Sequence, residues 1–242
     1  MSGTVALARL EVRRALRNRR VMFFAVLYPT GLYLLIGSTV SGTASNGVSA
    51  KAYVLIAMAS FGALGAALMT NAAKIALERK EGWTRQLRLT ALPGSGYVVG
   101  KVTAATVISI PALLVVFAAG AGTGIHQSAG RWITAFLIMW IGSLAFTGLG
   151  IAIGYGVPHD SVQMVSMITY LGLAVIGGLF VPFKGFMEKV GALSPSYQVR
   201  QLGTDAVSGI ALPAHGMMIL GAWVIAAAAL AALMYRRGVT TD

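Results

Sequence analysis

Long apolar stretches alternate with shorter polar ones along the whole chain. A helix needs about 20 residues to cross the hydrocarbon core of a bilayer, and six stretches come close to or exceed this length. A backbone in lipid must satisfy its own hydrogen bonds, which uninterrupted runs of this length do as helices. The pattern predicts an all-α membrane protein with spans at residues 21–38, 52–73, 102–121, 132–157, 162–181 and 217–235.

The polar segment before the first span, residues 1–20, predicts an amphipathic helix. Apolar Val5, Ala8 and Val12 recur at helical spacing, and Arg9 and Arg13 lie on the neighbouring face. Such a helix suits either anionic headgroups or a cytoplasmic partner, and both interpretations stay open. Residues 21–242 then form the six-span domain.

Residues 182–213, between the fifth and sixth predicted spans, are too apolar for an open loop. Their apolar stretches are too often interrupted by polar residues for a span. Phe183, Phe186, Met187 and Val190 fall on one helical stripe within this segment. A short re-entrant external segment fits this composition.

Composition agrees with a membrane protein. Apolar residues make up 57% of the chain, charged residues only 11%, and the mean hydropathy is +0.76, which leaves too little polar surface for a soluble globule. The net charge of +12 does not predict nucleic-acid binding, because the basic residues lie between apolar stretches. The chain has no cysteine, and its three histidines lack ligand spacing, so we expect neither metal nor thiol chemistry.

The basic residues also predict the orientation. Six spans place fourteen Lys and Arg on the side of the termini and of the 74–101 connection, against five on the other side. We therefore expect both termini in the cytoplasm.

The 74–101 connection is a charged, helix-compatible segment between the second and third spans. Trp83 in such a segment favours burial against a partner or in the headgroup zone, and Gly82 beside it permits a bend. Residues 94–103 do not form a phosphate-binding loop, because Ser95 and Val102 stand where that motif needs Gly and Ser or Thr. We therefore expect no ATPase and no enzyme activity in this chain; paired acids, a Ser/His set or metal ligands within the spans are not visible.

Polar side chains within spans tend to face a cavity or another helix, so they mark candidate substrate-pathway positions. Pro29 is expected to kink the first span beside three of them. Hydrogen bonding between helices is the competing interpretation. Gly150 and Gly154 predict close helix packing. The polar pathway candidates are Tyr28, Thr30, Tyr33, Ser60, Asn71, Gln163 and Tyr170. Met167, beside the last two, is a candidate because methionine offers an adaptable apolar contact.

Two motifs resemble the type-2 ABC exporter permeases. Glu78-Arg79-x-x-Gly82, followed by Gln86-Leu87 and Thr90, is similar to that family's cytoplasmic signature, which reads roughly Glu-Arg-Glu-x-Gly-Thr, then Leu, then Thr-Pro. Lys80, Trp83 and Ala91 depart from it. Residues 178–182 (GLFVP), Phe186, 193–195 (LSP), Tyr197 and Arg200 resemble the external stretch before that family's last span.

The resemblance implies a permease subunit, similar to the daunorubicin-resistance-like branch, in the inner membrane of a bacterial cell. It implies a dimer with a second copy or a close paralogue, and two ABC ATPase subunits that hold the ATP and Mg, with no cofactor in this chain. The implied cargo is a hydrophobic small molecule, drug or lipid-like, as in multidrug efflux and antibiotic resistance. A lipid-linked glycan exporter and a non-transporting scaffold that recruits a cytoplasmic protein remain alternatives.

The resemblance also implies roles for particular residues. Phe183 and Phe186 would form an external gate. The implied ATPase-coupling residues are Glu78, Arg79, Glu81, Gly82, Trp83, Arg85, Gln86 and Arg88.

Overall fold

The computed structural model describes residues 3–43, 48–82, 94–183 and 185–241, and over these residues the fold is helical. The non-helical pairing described there is a single antiparallel bridge between Thr43 and Ser49. The all-α prediction is therefore confirmed. The helices are α1 (Gly3–Arg17), α2 (Arg19–Met22), a π-helix (Phe23–Leu27), α3 (Tyr28–Thr39), α4 (Ala50–Lys80), α5 (Gly94–Gly122), α6 (Ala129–Gly156), α7 (His159–Ile176), α8 (Phe186–Gly191), α9 (Pro195–Ser208) and α10 (Ala214–Thr241).

Four helices among the described residues are long and apolar enough to cross a membrane, and each overlaps a predicted span. These four are Ala50–Lys80, Val99–Gly122, Ala129–Gly156 and Ala214–Arg237. The predicted first span contains a shorter apolar helix, Ala25–Thr39. The predicted fifth span forms α7, which has 18 residues and a polar first turn. The protein is thus a multi-pass membrane protein, whereas the count of six spans stays a prediction.

The helix of the first span changes its geometry just before Pro29. The backbone N–H of Tyr28 donates to the carbonyl of Phe23, five residues back, so the segment Phe23–Leu27 is π-helical. Proline has no N–H to offer the carbonyl four residues earlier, that of Ala25, which accounts for a local change at this point. The freed carbonyl of Ala25 lies against Gly62 of α4, and a Cβ atom at position 62 would be 3.0 Å from its oxygen.

Helix α4 forms the centre of the bundle. Most of its residues are buried, and α3, α5, α6, α7 and α9 pack around it. Its contact with α6 is close because Gly150 and Gly154 face it; a Cβ at Gly150 would lie 2.5 Å from the carbonyl oxygen of Leu68. The predicted packing role of these two glycines is confirmed.

The segment before the last helix forms two short helices. Ser194 caps α9 by accepting a hydrogen bond from the backbone N–H of Tyr197 at 3.2 Å, and Gly209 ends the helix with a left-handed φ of 73°. Most of α9 is buried, and it packs against α6 and α4. The shorter α8 keeps Phe186 77% exposed. A buried helix between two loops is compatible with the predicted re-entrant segment.

Candidate functional site: an ion cluster beside two adjoining cavities

Four charged side chains from three helices meet where α1 packs on the bundle. We name Glu11, Lys74, Glu78 and Lys101 the ion cluster. The Nζ atom of Lys101 lies 2.6 Å from Oε1 of Glu78 and 3.2 Å from Oε1 of Glu11, and Lys74 pairs with Oε2 of Glu11. Lys101 and Glu11 are each only 1% exposed. Charges buried this deeply are tolerated only when they are paired, so the cluster ties α1 to α4 and α5.

The carboxyl of Glu11 is held in its ionised form. Burial by itself raises the pKa of this group, but the attraction of Lys101 and Lys74 outweighs burial and places the pKa below its ordinary value. Both carboxylate oxygens therefore accept hydrogen bonds from lysines at neutral pH.

Arg79 joins the end of α4 to the end of α6. Its Nη1 donates to the carbonyl oxygens of Gly154 and Tyr155, at 3.1 and 2.7 Å, and its guanidinium lies 5.9 Å from the centre of the Tyr155 ring. The last carbonyls of a helix lack partners within the helix, and a cation there also suits the helix dipole. Arg79 thus caps α6 from the neighbouring helix.

The predicted coupling residues are therefore divided between the interior and the surface. Glu78 is buried and Arg79 half-buried, and both bind other parts of this chain. Glu81 is exposed, and Gly82 has a left-handed φ of 70°, which favours glycine. The remaining coupling candidates lie outside the described residues; they are Trp83, Arg85, Gln86 and Arg88.

A large cavity of about 680 Å³ lies between the first-span helix, α4 and α7, and we name it the apolar chamber. Four pathway candidates line it, namely Tyr28, Gln163, Met167 and Tyr170. Phe61 from α4 joins them: its ring centre lies 4.7 Å from that of Tyr170 and 6.2 Å from that of Tyr28. The structure thus brings residues from three separate predicted spans to one apolar wall.

Three other pathway candidates lie elsewhere. The hydroxyl of Thr30 donates to the carbonyl of Val26 at 2.6 Å, within its own helix. Tyr33 is fully buried and hydrogen-bonds Thr123 at 2.5 Å. The hydroxyl of Ser60 is buried without a hydrogen-bond partner among the described residues. These three side chains belong to the packed interior.

A second cavity of about 330 Å³ lies between α1, α4 and α5, and we name it the polar chamber. Asn71, the last pathway candidate, lines it and donates a hydrogen bond to the carbonyl of Ala67 at 2.7 Å. Its other polar and charged wall residues include Glu11, Arg14, Asn18 and Lys74.

At the opposite end of the bundle, Arg200 of α9 lies between two aromatic rings. Its guanidinium is 4.9 Å from the ring centre of Tyr53 and 4.7 Å from that of Tyr197, and its Nε donates to the carbonyl of Gly177 at 2.9 Å. The hydroxyl of Tyr53 donates to the next carbonyl, that of Gly178, at 2.5 Å. These bonds fasten the end of α7 to α4 and α9.

The two predicted gate residues lie near this arginine but differ in their surroundings. Phe183 is half-buried and lines a small cavity of about 30 Å³ together with Arg200. Phe186 does not line that cavity and projects outward from α8.

The amino-acid sequence matches a known family of transport proteins over most of its length. The family described as ABC-2 type transporter matches residues 3–198. The chain belongs to this family. It is also 27% identical, over 219 residues and 89% of each chain, to YvfS of Bacillus subtilis (strain 168), which is named a transport permease.

Membership of the ABC-2 family settles the general role of the chain. ABC-2 permeases are the membrane subunits of ABC transporters and are not themselves catalytic, and membership implies an ABC ATPase as partner. The resemblance found in the two sequence motifs is thereby confirmed.

The ion cluster was missed as a site in the sequence, although signals for it exist. Lys101 is an isolated charge at the start of an apolar stretch, and Glu11 is the one acid in an arginine-rich segment. A charge in either position calls for a partner, because burying it unpaired is costly. Identifying the partner of each charge required the folded structure, since Glu11 and Lys101 are 90 residues apart in the sequence.

Proposed function

We propose that this ABC-2 permease is the membrane subunit of an ATP-driven exporter that moves a hydrophobic small molecule, drug-like or lipid-like, out of the cell. The apolar chamber carries the proposal. Its volume of about 680 Å³ falls within the roughly 300–1,000 Å³ of small-molecule sites, and its wall is apolar and aromatic with few polar groups. Met167 adds an adaptable contact that suits cargo of varied shape.

The face around the chamber supports a dimer. Leu27, Met164 and Ile168 lie on helices that line the chamber and are 58%, 61% and 64% exposed, so this apolar face is open to a second copy. In the proposed assembly a second copy, or a close paralogue, covers this face and shares the pathway. Each copy has six spans with both termini in the cytoplasm of a bacterial cell.

The ion cluster and Arg79 support coupling to the ATPase. In the proposal two ATPase subunits, which bind the ATP and Mg, dock on the segment that follows Lys80 and on α1. Because α1, α4 and α5 share buried charges and Arg79 binds α6, a push on the docking segment displaces these helices together. Closure of the ATPases then opens the dimer face outward.

The test is co-reconstitution of the permease with its ABC ATPase in vesicles, followed by ATP-dependent transport of a lipophilic dye. Met167→Trp places a larger, rigid ring in the wall of the chamber and should reduce dye transport and dye-stimulated ATP hydrolysis. Met218→Trp is the matched control, because Met218 is 74% exposed on α10, away from the chamber. Unchanged transport by Met167→Trp would refute the pathway. ATP hydrolysis that no lipophile stimulates would instead favour the scaffold.

A further inference from the structure

The apolar and polar chambers adjoin each other along α4. Thr70 and Ala73, three residues apart on one helical face, line both cavities. The two cavities therefore meet at these two side chains, both of them small.

The two chambers differ sharply in the chemistry of their walls. On α1, Arg14 and Ala15 follow Glu11 at spacings of three and four, so one face of this helix lines the polar chamber. Asn18, directly after the end of the helix, also lines it. Lys74 and Asn71 line it from α4. In the apolar chamber, by contrast, the wall is mainly Ala, Met, Leu and aromatic side chains.

The charges of the polar chamber favour an anion. Its described wall carries two cations, Arg14 and Lys74, and one anion, Glu11, which leaves a net charge of +1. Lys74 keeps 26% of its side chain exposed and stays within reach of a ligand.

We infer that the two chambers form one site for an amphiphile with a single anionic headgroup. The headgroup, a carboxylate or phosphate, lies near Arg14 and Lys74, and the apolar part passes Thr70 and Ala73 into the apolar chamber. This inference names the substrate class of the proposed exporter and rests on that function only for the transport step. A membrane phospholipid and an exported amphiphile share this chemistry.

Binding is measured on the purified full chain, without the ATPase, in nanodiscs of zwitterionic phosphatidylcholine. The probe is a long-chain fatty acid with a dansyl group at its apolar end, and the comparison probe is an alkylammonium of equal length with the same fluorophore. Energy transfer from tryptophan to dansyl reports bound probe, after subtraction of empty nanodiscs. We expect the anionic probe to bind at least tenfold more tightly.

Variants locate the headgroup and the passage. Arg14→Ala should lower the affinity for the anionic probe about tenfold, as expected for the loss of a charge-assisted hydrogen bond. It should leave the affinity for the cationic probe unchanged. Arg13→Ala is the matched control, since Arg13 is exposed on the same helix but does not line the chamber. Ala73→Phe blocks the junction of the two chambers and should lower the affinity for both probes. Ala226→Phe, at an exposed position of α10, should not change either affinity.

Equal binding of the two probes, or an equal loss in Arg13→Ala and Arg14→Ala, would overturn the inference. Competition by phosphatidylglycerol identifies a membrane lipid as an occupant, and ATP-dependent transport of the anionic probe by the complete transporter identifies cargo; either supports the site. Tight anionic binding without transport of any compound would leave the site standing and refute the exporter.

Discussion

Replacing Lys101 by methionine tests the ion cluster directly. Methionine keeps most of the length of the lysine stem but removes the ammonium that lies between Glu78 and Glu11. Glu11 retains Lys74, whereas Glu78 loses the lysine that lies 2.6 Å away. Breaking a buried ion pair from one side costs about 3–5 kcal/mol, because the remaining charge stays buried.

At about 2–4 °C per kcal/mol for a chain of this size, the loss corresponds to a fall of roughly 6–20 °C in the thermal midpoint. The midpoint is read from the fraction of detergent-solubilised protein that survives heating, measured by fluorescence-detected size exclusion. The double variant Lys101→Met, Glu78→Gln removes both members of the pair. It should recover most of the lost stability, since replacing a whole buried pair is often nearly neutral.

Two results would refute this reasoning. An unchanged midpoint in Lys101→Met would mean that the cluster does not hold α1 on the bundle. A double variant as unstable as the single one would show that the loss of stability does not come from leaving the Glu78 charge without Lys101.

Three further predictions use the same heating assay. The low pKa of Glu11 means that its ion pairs stabilise the fold above the ordinary carboxyl pKa and are lost as pH falls through the folded value; the midpoint should therefore drop on acidification, and Glu11→Gln should flatten that drop. Arg79→Met should lower the free energy of unfolding by about 1.5–3 kcal/mol, because the hydrogen bonds to the end of α6 are lost. A midpoint equal to that of the parent would show that Arg79 does not cap α6. Gly150→Ala should destabilise the protein strongly because the new Cβ meets the carbonyl of Leu68, whereas Gly172→Ala, with no neighbour within 4 Å, should be neutral; equal effects would refute the close α4–α6 contact.

Hydropathy predicted four of the spans because α4, α5, α6 and α10 are long and apolar, properties that a window of sequence measures directly. The first and fifth spans were harder to predict for a physical reason. Pro29 interrupts the hydrogen-bonding pattern of one helix, and the other starts with the polar residues His159 and Asp160. The first-span segment is helical from Arg19 to Thr39 but is divided by a π-helix, and α7 ends at Ile176, before the predicted end of the fifth span at residue 181.

The pathway candidates were chosen by polarity, which does not determine the direction in which a side chain points. Tyr28 and Tyr33 are five residues apart, about 140° around a helix, so one lines the apolar chamber while the other lies in the core. Polarity selected three residues that line the chamber, Tyr28, Gln163 and Tyr170, but missed Phe61, whose ring lies near both tyrosine rings.

The structure also changes the choice of coupling variants. Glu78 and Glu81 look equivalent in the sequence, yet Glu78 is 7% exposed and pairs with Lys101, while Glu81 is on the surface. Reversing the charge of Glu78 would confront Lys101 with a second cation and disturb the fold. Glu81→Lys is therefore the cleaner test of docking to the ATPase.

The glycine contact between α4 and α6 has a consequence for how this transporter can diverge. Along that contact, backbone meets backbone, so almost any larger residue at Gly150 or Gly154 is excluded. On the other side of α4, the apolar chamber is bounded by flexible side chains such as Met167 and by an open face. In the proposed pathway, substitutions around the chamber can change the cargo preference, while the glycine contact preserves the scaffold that every such variant needs.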